Sequence, residues 1–242
     1  MRLNSLLLAL AACVLATGCS AQPAPDKAFG DKVRAFLLEH PEVIEEAIQK
    51  LQDKRQADTA SKAKVALQHG RSAVERDPRD FVANPGGKIT VTEFYDYRCP
   101  HCINAAPKVL ALIKASPDVR FVFKEMPIFG ATSEHAARAA IAAKVQGRDV
   151  LKLYQAFMDT RGLDDAAVDR IAKDQGIDLA RAETSQARAN ADAEIADVHK
   201  LANDLEIDGT PSFIIGDTIV PGEDMEAVAA AIAAARGGAK AG

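Results

Sequence analysis

Apolar positions along this chain recur with two different periods, and the change of period separates its parts. Phe29, Val33, Phe36 and Leu37 fall three or four apart, marking one face of a helix that ends near His40. Pro41 suits the first turn of a second helix, and Glu42, Glu45 and Glu46 are favourable near its N-terminus. Val43, Ile44, Ala47, Ile48 and Leu51 continue the stripe. Residues 52–58 are then polar, and beyond them only Val65 and Leu67 are large and apolar. The pattern predicts a helical arm over residues 22–75. Its apolar face, within residues 29–67, either packs back on its own domain or pairs with the same face of another copy as a homo-oligomer. The polar middle separates the stripe from the rest of the chain and favours the second arrangement.

From residue 76 the signals are those of a mixed fold. Asp77-Pro78-Arg79-Asp80 and Asn84-Pro85-Gly86-Gly87 read as turns on either side of a short edge strand, Phe81-Val82. Residues 89–95 form a first central strand and residues 119–124 a second, with a helical pattern through Val109, Leu110, Leu112 and Ile113 between them. Strand, helix and strand at this spacing predict a βαβ unit with a parallel pair. Residues 132–204 read as almost all helix. Ser133 caps one helix that stops at Gly147, and Val150, Leu153, Tyr154, Phe157 and Met158 mark the next. Asp164 caps a third, closed by Gly176, and an Ala-rich fourth runs from about Asp178 to Leu205. Residues 212–215 and 218–220 flank Gly216-Asp217 as a hairpin. A last helix from Glu223 to about Ala235 precedes a disordered tail at 237–242. Several consecutive helices between strands, with no glycine-rich phosphate loop, predict an α/β core carrying an all-helical insert.

The first residues differ in kind. Met1-Arg2 supplies one positive charge, and residues 6–15 form an apolar core too short for a permanent span, the layout of a signal peptide over residues 1–21. Its end reads in two ways. Gly18-Cys19 after small and apolar residues resembles a bacterial lipobox, which makes Cys19 the lipidated first residue, with Ala16 where Leu is usual. Alternatively a signal peptidase cuts after Ala21. Both readings export the chain to the bacterial periplasm, soluble or lipid-anchored at Cys19. A formal net charge of −4, no Trp and 5% aromatic residues exclude the basic surfaces and stacking platforms of nucleic-acid binders.

Export changes what the cysteines mean. Cys13 leaves with the signal, and Cys19 is removed or lipidated, so Cys99 and Cys102 remain for thiol chemistry. A lone pair three apart closes almost no loop and adds little stability, so it is there for reactivity. The run Thr92-Glu93-Phe94-Tyr95-Asp96-Tyr97-Arg98-Cys99-Pro100-His101-Cys102 ends a strand and opens a helix. Cys99 therefore falls at a helix N-terminus, where unpaired N–H groups and the macrodipole stabilise an anion. It is expected to be a thiolate at neutral pH, with Cys102 one turn along and within disulfide reach. Each unit of pKa depression corresponds to roughly 1.4 kcal/mol favouring the thiolate. Such stabilisation favours the reduced form and makes the disulfide more oxidising. The expected chemistry is thiol–disulfide exchange.

With Cys-Pro-His-Cys after a strand, a helical insert, and Thr210-Pro211 before a hairpin and a final helix, residues 80–236 resemble the DsbA-like branch of the thioredoxin superfamily. The resemblance implies a thioredoxin-like fold with a central mixed sheet over residues 76–236, its helical insert at about 132–204. Residues 33–51 resemble the oligomerising extension of copper-sensitivity suppressor C proteins. By resemblance, Cys99 is the exposed nucleophile that forms a mixed disulfide with substrate, and Cys102 is the buried resolving thiol. Pro100 occupies the first helical turn, where its missing N–H is no loss. His101 offers a hydrogen bond or a positive field to the Cys99 sulfur, and Arg98 adds a positive neighbour. Glu93 is a carboxylate beneath the site that relays protons for the resolving thiol; a surface carboxylate is the plain alternative. Pro211 is a cis-proline facing the disulfide, in a turn that bares the Thr210 backbone to substrate peptide. His40, His69, His135 and His199 need no function and lack metal-ligand spacing.

The leading expectation is an exported oxidoreductase acting on cysteines of protein substrates, with a membrane redox partner and no cofactor. A monomer suits oxidation, and an assembly through the arm suits isomerisation. The alternative from another class is a periplasmic copper-binding protein or metal-stress factor using Cys99 and Cys102, with His101, to hold Cu(I), which soft thiolates select. That reading leaves Thr210-Pro211 unexplained. An inactive, peptide-binding adaptor is a third reading, at odds with the intact tetrapeptide.

Overall fold

The computed structural model describes residues 26–238, which fall into two compact units, one ending at Lys54 and one beginning at Arg55. The signal peptide, the lipidation reading of Cys19 and residues 239–242 of the tail lie outside the described residues. Among the described residues no helix is long and apolar enough to cross a membrane.

The first unit is helical. Helix α1 (Lys27–Glu39) starts where the Asp26 carboxylate accepts the Ala28 N–H, and closes where the His40 N–H bonds to the Phe36 carbonyl. Helix α2 (Glu42–Glu75) follows, with Glu42 and Glu45 in its first turn. No residue of α1 is buried. Phe29, Phe36, Leu38, Ile44, Ile48 and Leu51 each stand 47–67% exposed among the described residues.

The second unit takes in the rest of α2. Leu67 and Val74 are fully buried, packed with Phe94, Val198, Leu205 and Ile214. The helix thus runs to Glu75 as expected, while the first compact unit ends at Lys54. The α2 end is also tied down through its carbonyls. Lys124 Nζ donates to the Ala73 carbonyl (2.6 Å) and pairs with Asp80, and Arg120 donates to the Glu75 carbonyl (2.5 Å). Cations at the carbonyl end of a helix satisfy groups that have no intrahelical partner.

The sheet contains β1 (Phe81–Ala83), β2 (Ile89–Tyr95), β3 (Val119–Glu125), β4 (Ser212–Ile215) and β5 (Thr218–Pro221), in the order β1-β3-β2-β4-β5. β2 and β3 run parallel, joined through α3 (Pro100–Ala115); the other pairs are antiparallel. Alternation along β2 decides what the site contains. Val91 and Tyr95 belong to the core under α3 and the insert, and Phe94 belongs to the core under α2. Glu93 shares the face of Val91 and Tyr95. Gly87 is fixed by a close approach, since a Cβ there would lie 2.4 Å from the Arg120 nitrogen.

The insert consists of α4 (Ala131–Val145), α5 (Val150–Met158), α6 (Asp165–Asp174), the one-turn α7 (Leu179–Ala182) and α8 (Ser185–Asp204). Two details differ from expectation. Ser133 does not cap α4; Gly130 holds that position, and the buried Ser133 hydroxyl donates to Asp96. The long fourth helix is broken at Thr184, which caps α8 with extended backbone while its hydroxyl donates to the Arg181 carbonyl. The last helix, α9 (Met225–Gly238), starts two residues late and runs past Ala235, through the first residues of the expected tail.

Candidate active site

Cys99 is the N-cap of α3, with φ −70° and ψ 121°, and Pro100 is the first helical residue. The turn before it is closed by the Cys99 N–H on the Asp96 carbonyl (3.2 Å), and the helix begins with the Ile103 N–H on the Cys99 carbonyl (3.0 Å). Asp96 holds this turn in place. Its buried carboxylate accepts the Arg98 N–H (2.6 Å), the Ile128 and Phe129 N–H groups (2.6 and 3.0 Å) and the Ser133 hydroxyl (2.9 Å). Three separate segments thus converge on one side chain. Nothing in the sequence singled it out.

Both sulfurs are free thiols. The expected exposed nucleophile is instead nearly covered: Cys99 is 2% accessible and Cys102 0%. The cover is the turn before β4, where the Cys99 thiol stands 3.1 Å from the Thr210 carbonyl. The Thr210–Pro211 peptide is cis, and the Pro211 carbonyl accepts the Gly222 N–H (2.8 Å). Thr210 is buried, with its carbonyl turned to Cys99 and not to solvent.

The two thiols are driven apart electrostatically. A hydrogen bond from Cys102 holds the Cys99 thiol down to about 5 against the opposing effect of burial, with smaller help from Thr210 and the Cys102 and His101 backbone. Burial pushes Cys102 far above the usual thiol range, and neighbouring Cys99 and Glu93 push it further. One sulfur is thus a ready nucleophile at neutral pH and the other keeps its proton.

Glu93 is not a surface carboxylate. It is 1% exposed, and burial raises its pKa to about 8. The Tyr154 hydroxyl of α5 donates to Oε1 at 3.4 Å, and Oε2 has no partner. Its charge is one of the causes that raise the Cys102 thiol.

Arg98 sits differently from expectation, while His101 interacts with the Cys99 charge and has Glu223 as its nearer partner. The His101 ring is exposed, with Nδ1 3.2 Å from Glu223, whose carboxylate raises the imidazole pKa. Arg98 donates to the Phe129 carbonyl at 2.9 Å, so its charge serves the neighbouring loop. Among the described residues no three His, Cys, Asp or Glu side chains converge as metal ligands.

Comparison with known proteins bears on the whole arrangement. Residues 90–233 match the model of the DSBA-like thioredoxin domain, and residues 27–58 match that of the copper resistance protein ScsC N-terminal domain. The thiol:disulfide interchange protein DsbA of Bordetella pertussis is 32% identical over 136 residues, 54% of this chain and 64% of that protein. The chain thus spans just under two thirds of the length of the DsbA relatives it matches. Among solved structures, a thioredoxin-like oxidoreductase from Silicibacter pomeroyi is 38% identical with a TM-score of 0.63, covering 69% of this chain and 97% of that one. Proteus mirabilis ScsC in a transitional conformation is 28% identical with a TM-score of 0.63, covering 86% of this chain and 96% of that one.

Proposed function

The chain belongs to the DSBA-like thioredoxin domain family, and on that premise we propose that it is an exported oxidoreductase that isomerises disulfides in protein substrates. The observation that carries the chemistry is the split between Cys99 and Cys102, one thiol held low and its neighbour held high. Ionised Cys99 attacks a substrate disulfide, forming a mixed disulfide as one substrate sulfur leaves with the electron pair. A second substrate thiolate then attacks that bond and frees Cys99, with no net oxidation. Where no substrate thiol arrives, Cys102 loses its proton to Glu93 and attacks Cys99. The substrate departs reduced and the enzyme is left oxidised, for a membrane partner to reset.

The isomerase sense is supported by the arm; the stabilised thiolate favours the reduced protein but also makes its disulfide more oxidising, and so serves either sense. The uncovered apolar face of α1 and the start of α2, in the stretch similar to the ScsC N-terminal domain, suits assembly of several copies. The test is refolding of a scrambled multi-disulfide protein by the mature chain and by a form lacking residues 22–54. The expected result is rescue by the first and simple oxidation by the second. Oxidation alone by both would leave a DsbA-like oxidant whose arm is a tether.

A further inference from the structure

Cys99 is nearly covered, yet thiol–disulfide exchange requires a substrate sulfur to reach it. A chain of contacts closes the site. The Cys99 thiol stands 3.1 Å from the Thr210 carbonyl, in the turn that lies over it. The next carbonyl, that of Pro211, accepts the Gly222 N–H at 2.8 Å. Glu223, the residue after Gly222, then reaches back to α3. Its Oε1 lies 3.2 Å from Nδ1 of His101, two positions after Cys99. Cys99, Thr210, Pro211, Gly222, Glu223 and His101 thus make a closed ring around one sulfur.

The links of this ring are unequal. Pro211 and Gly222 are joined by their backbones at the end of the β4–β5 hairpin, next to the paired Ser212 and Pro221. The His101–Glu223 link is made by side chains alone, 65% and 38% exposed. It opens without breaking a strand pairing or uncovering a buried group. An exposed pair of this kind adds little to folding stability. Nor does α9 need the Glu223 side chain. Asp224 serves the helix start, its carboxylate accepting the Ala227 N–H at 2.9 Å and its carbonyl the Val228 N–H at 3.1 Å. Gly222, at φ +75°, makes the bend that brings Glu223 round to α3.

We propose that Glu223 is a positioning residue of the exchange reaction: through His101 it latches the Thr210–Pro211 turn over Cys99, and substrate enters as the latch opens. The proposal rests on the thiol–disulfide reading above and concerns entry, so the bonds made and broken are those already given. With the latch closed, the turn and the start of α3 are held together and the sulfur stays covered. With it open, His101 and Glu223 turn into solvent and the turn is held at one point fewer. A substrate disulfide then comes between Cys99 and the Thr210 carbonyl.

The charges at the latch make it sensitive to salt and to pH. Glu223 and, more weakly, Cys99 are the groups whose charge acts on the His101 ring. A protonated ring and a carboxylate form a charge-assisted bond, whereas a neutral ring keeps only an ordinary one. Salt weakens the same bond by screening exposed charges.

The test uses the reduced mature chain and iodoacetamide, an uncharged reagent, with the Cys99 peptide quantified by mass spectrometry. Cys99 titrates at about 5, so from pH 7 upwards its thiolate is complete and the rate reports access. At pH 7 and low salt, Glu223→Gln is expected to react about two- to fivefold faster than wild type, the shift an exposed ion pair can hold. High salt should bring wild type up towards the variant and leave the variant unchanged. The two rates should also converge as pH rises towards 9. In a His101→Ala background, Glu223→Gln should add nothing further. Equal rates in wild type and Glu223→Gln at pH 7 and low salt would overturn the latch. So would a gain that salt leaves untouched, the mark of a packing role. A gain that survives in the His101→Ala background would overturn it too, since Glu223 would then act on Cys99 directly. Oxidised glutathione tests the functional reading separately, because wild-type chain is expected to form a mixed disulfide with it. Failure to do so, with the alkylation differences intact, would overturn the exchange reading and with it the part of Glu223 in the reaction.

Discussion

The Cys99 sulfur lies 3.1 Å from the Thr210 carbonyl oxygen, although that sulfur is the group held lowest in pKa at the site. A thiol donates to such an oxygen; a thiolate gains nothing from it. The anion must therefore be held by other donors. Foremost among these is Cys102, followed by the Thr210 side chain and then the Cys102 and His101 backbone N–H groups of the first turn of α3.

Removing Cys102 should accordingly release Cys99 upwards. In Cys102→Ala, the midpoint for alkylation of Cys99 is expected to rise from about 5 by two units or more. His101→Ala should move it less, because the ring faces Glu223 and its backbone N–H is kept. Iodoacetamide kinetics against pH measure both. An unchanged midpoint in Cys102→Ala would show that the helix terminus alone holds the anion.

The same ionisation links stability to pH. Folded Cys99 titrates at about 5 and an ordinary thiol near 9, so between these values the unfolded reduced chain binds more protons than the folded one. The contribution is complete above the unfolded value and is lost as pH falls through about 5. Calorimetry of the reduced protein should thus show a Tm advantage over Cys99→Ser that grows from pH 5 to 9. A constant difference across that range would contradict the depressed thiol.

Glu93 works with the opposite sign. Its folded pKa of about 8 lies above the ordinary carboxyl value of 4.5, so its contribution is full below 4.5 and lost as pH rises through 8. Glu93→Gln removes that slope. The variant is expected to match wild type near pH 4 and to exceed it near pH 9 by a few kcal/mol, at about 1.4 kcal/mol per unit. It should also slow resolution of a Cys99 mixed disulfide. Parallel stability curves would mean that Glu93 ionises freely.

How much of this was legible in the sequence depends on how local each feature is. The Cys99 helix start, the β2–α3–β3 unit and the Gly216-Asp217 hairpin rest on neighbouring residues, and all three were readable. The docking of α2 was not: Leu67 and Val74 are single contacts seven apart on a polar helix, too sparse to form a stripe. Lys124 reads as the polar end of a strand, and only the fold brings Asp80 and the Ala73 carbonyl to its ammonium. Tyr154 passed for one more core position of an amphipathic helix. Its hydroxyl acquires meaning from Glu93, sixty-one positions away in the chain.

Asp96 is the sharpest instance, because its four donors come from residues 98, 128, 129 and 133. Asp96→Ala strands these buried groups and is expected to cost about 2–4 kcal/mol of unfolding free energy. It should also loosen the turn before Cys99. Urea denaturation gives the first quantity, and the Cys99 alkylation midpoint reports the second. A loss below about 0.5 kcal/mol would mean that water replaces the carboxylate without penalty.

The arm makes a prediction separable from the chemistry. Ile44 and Ile48 are one turn apart on α2 and about half exposed (48% and 51%). Leaving so many large apolar side chains in water forgoes roughly 1.5–3 kcal/mol each relative to full burial, which a partner surface would recover. Helices of this length gain most of their stability from such packing. The double variant Ile44→Asp, Ile48→Asp is expected to convert an assembly to monomers in light scattering. Its effect on unfolding of the second unit should stay within about 0.5 kcal/mol, because that core begins with Ala63 and Leu67. Thiolate reactivity at Cys99 should be untouched, while rescue of a scrambled substrate falls to the level of the form lacking residues 22–54. Wild-type chain that scatters as a monomer at micromolar concentration would remove the basis for assembly. It would leave the oxidative reading of the Cys99–Cys102 pair in its place.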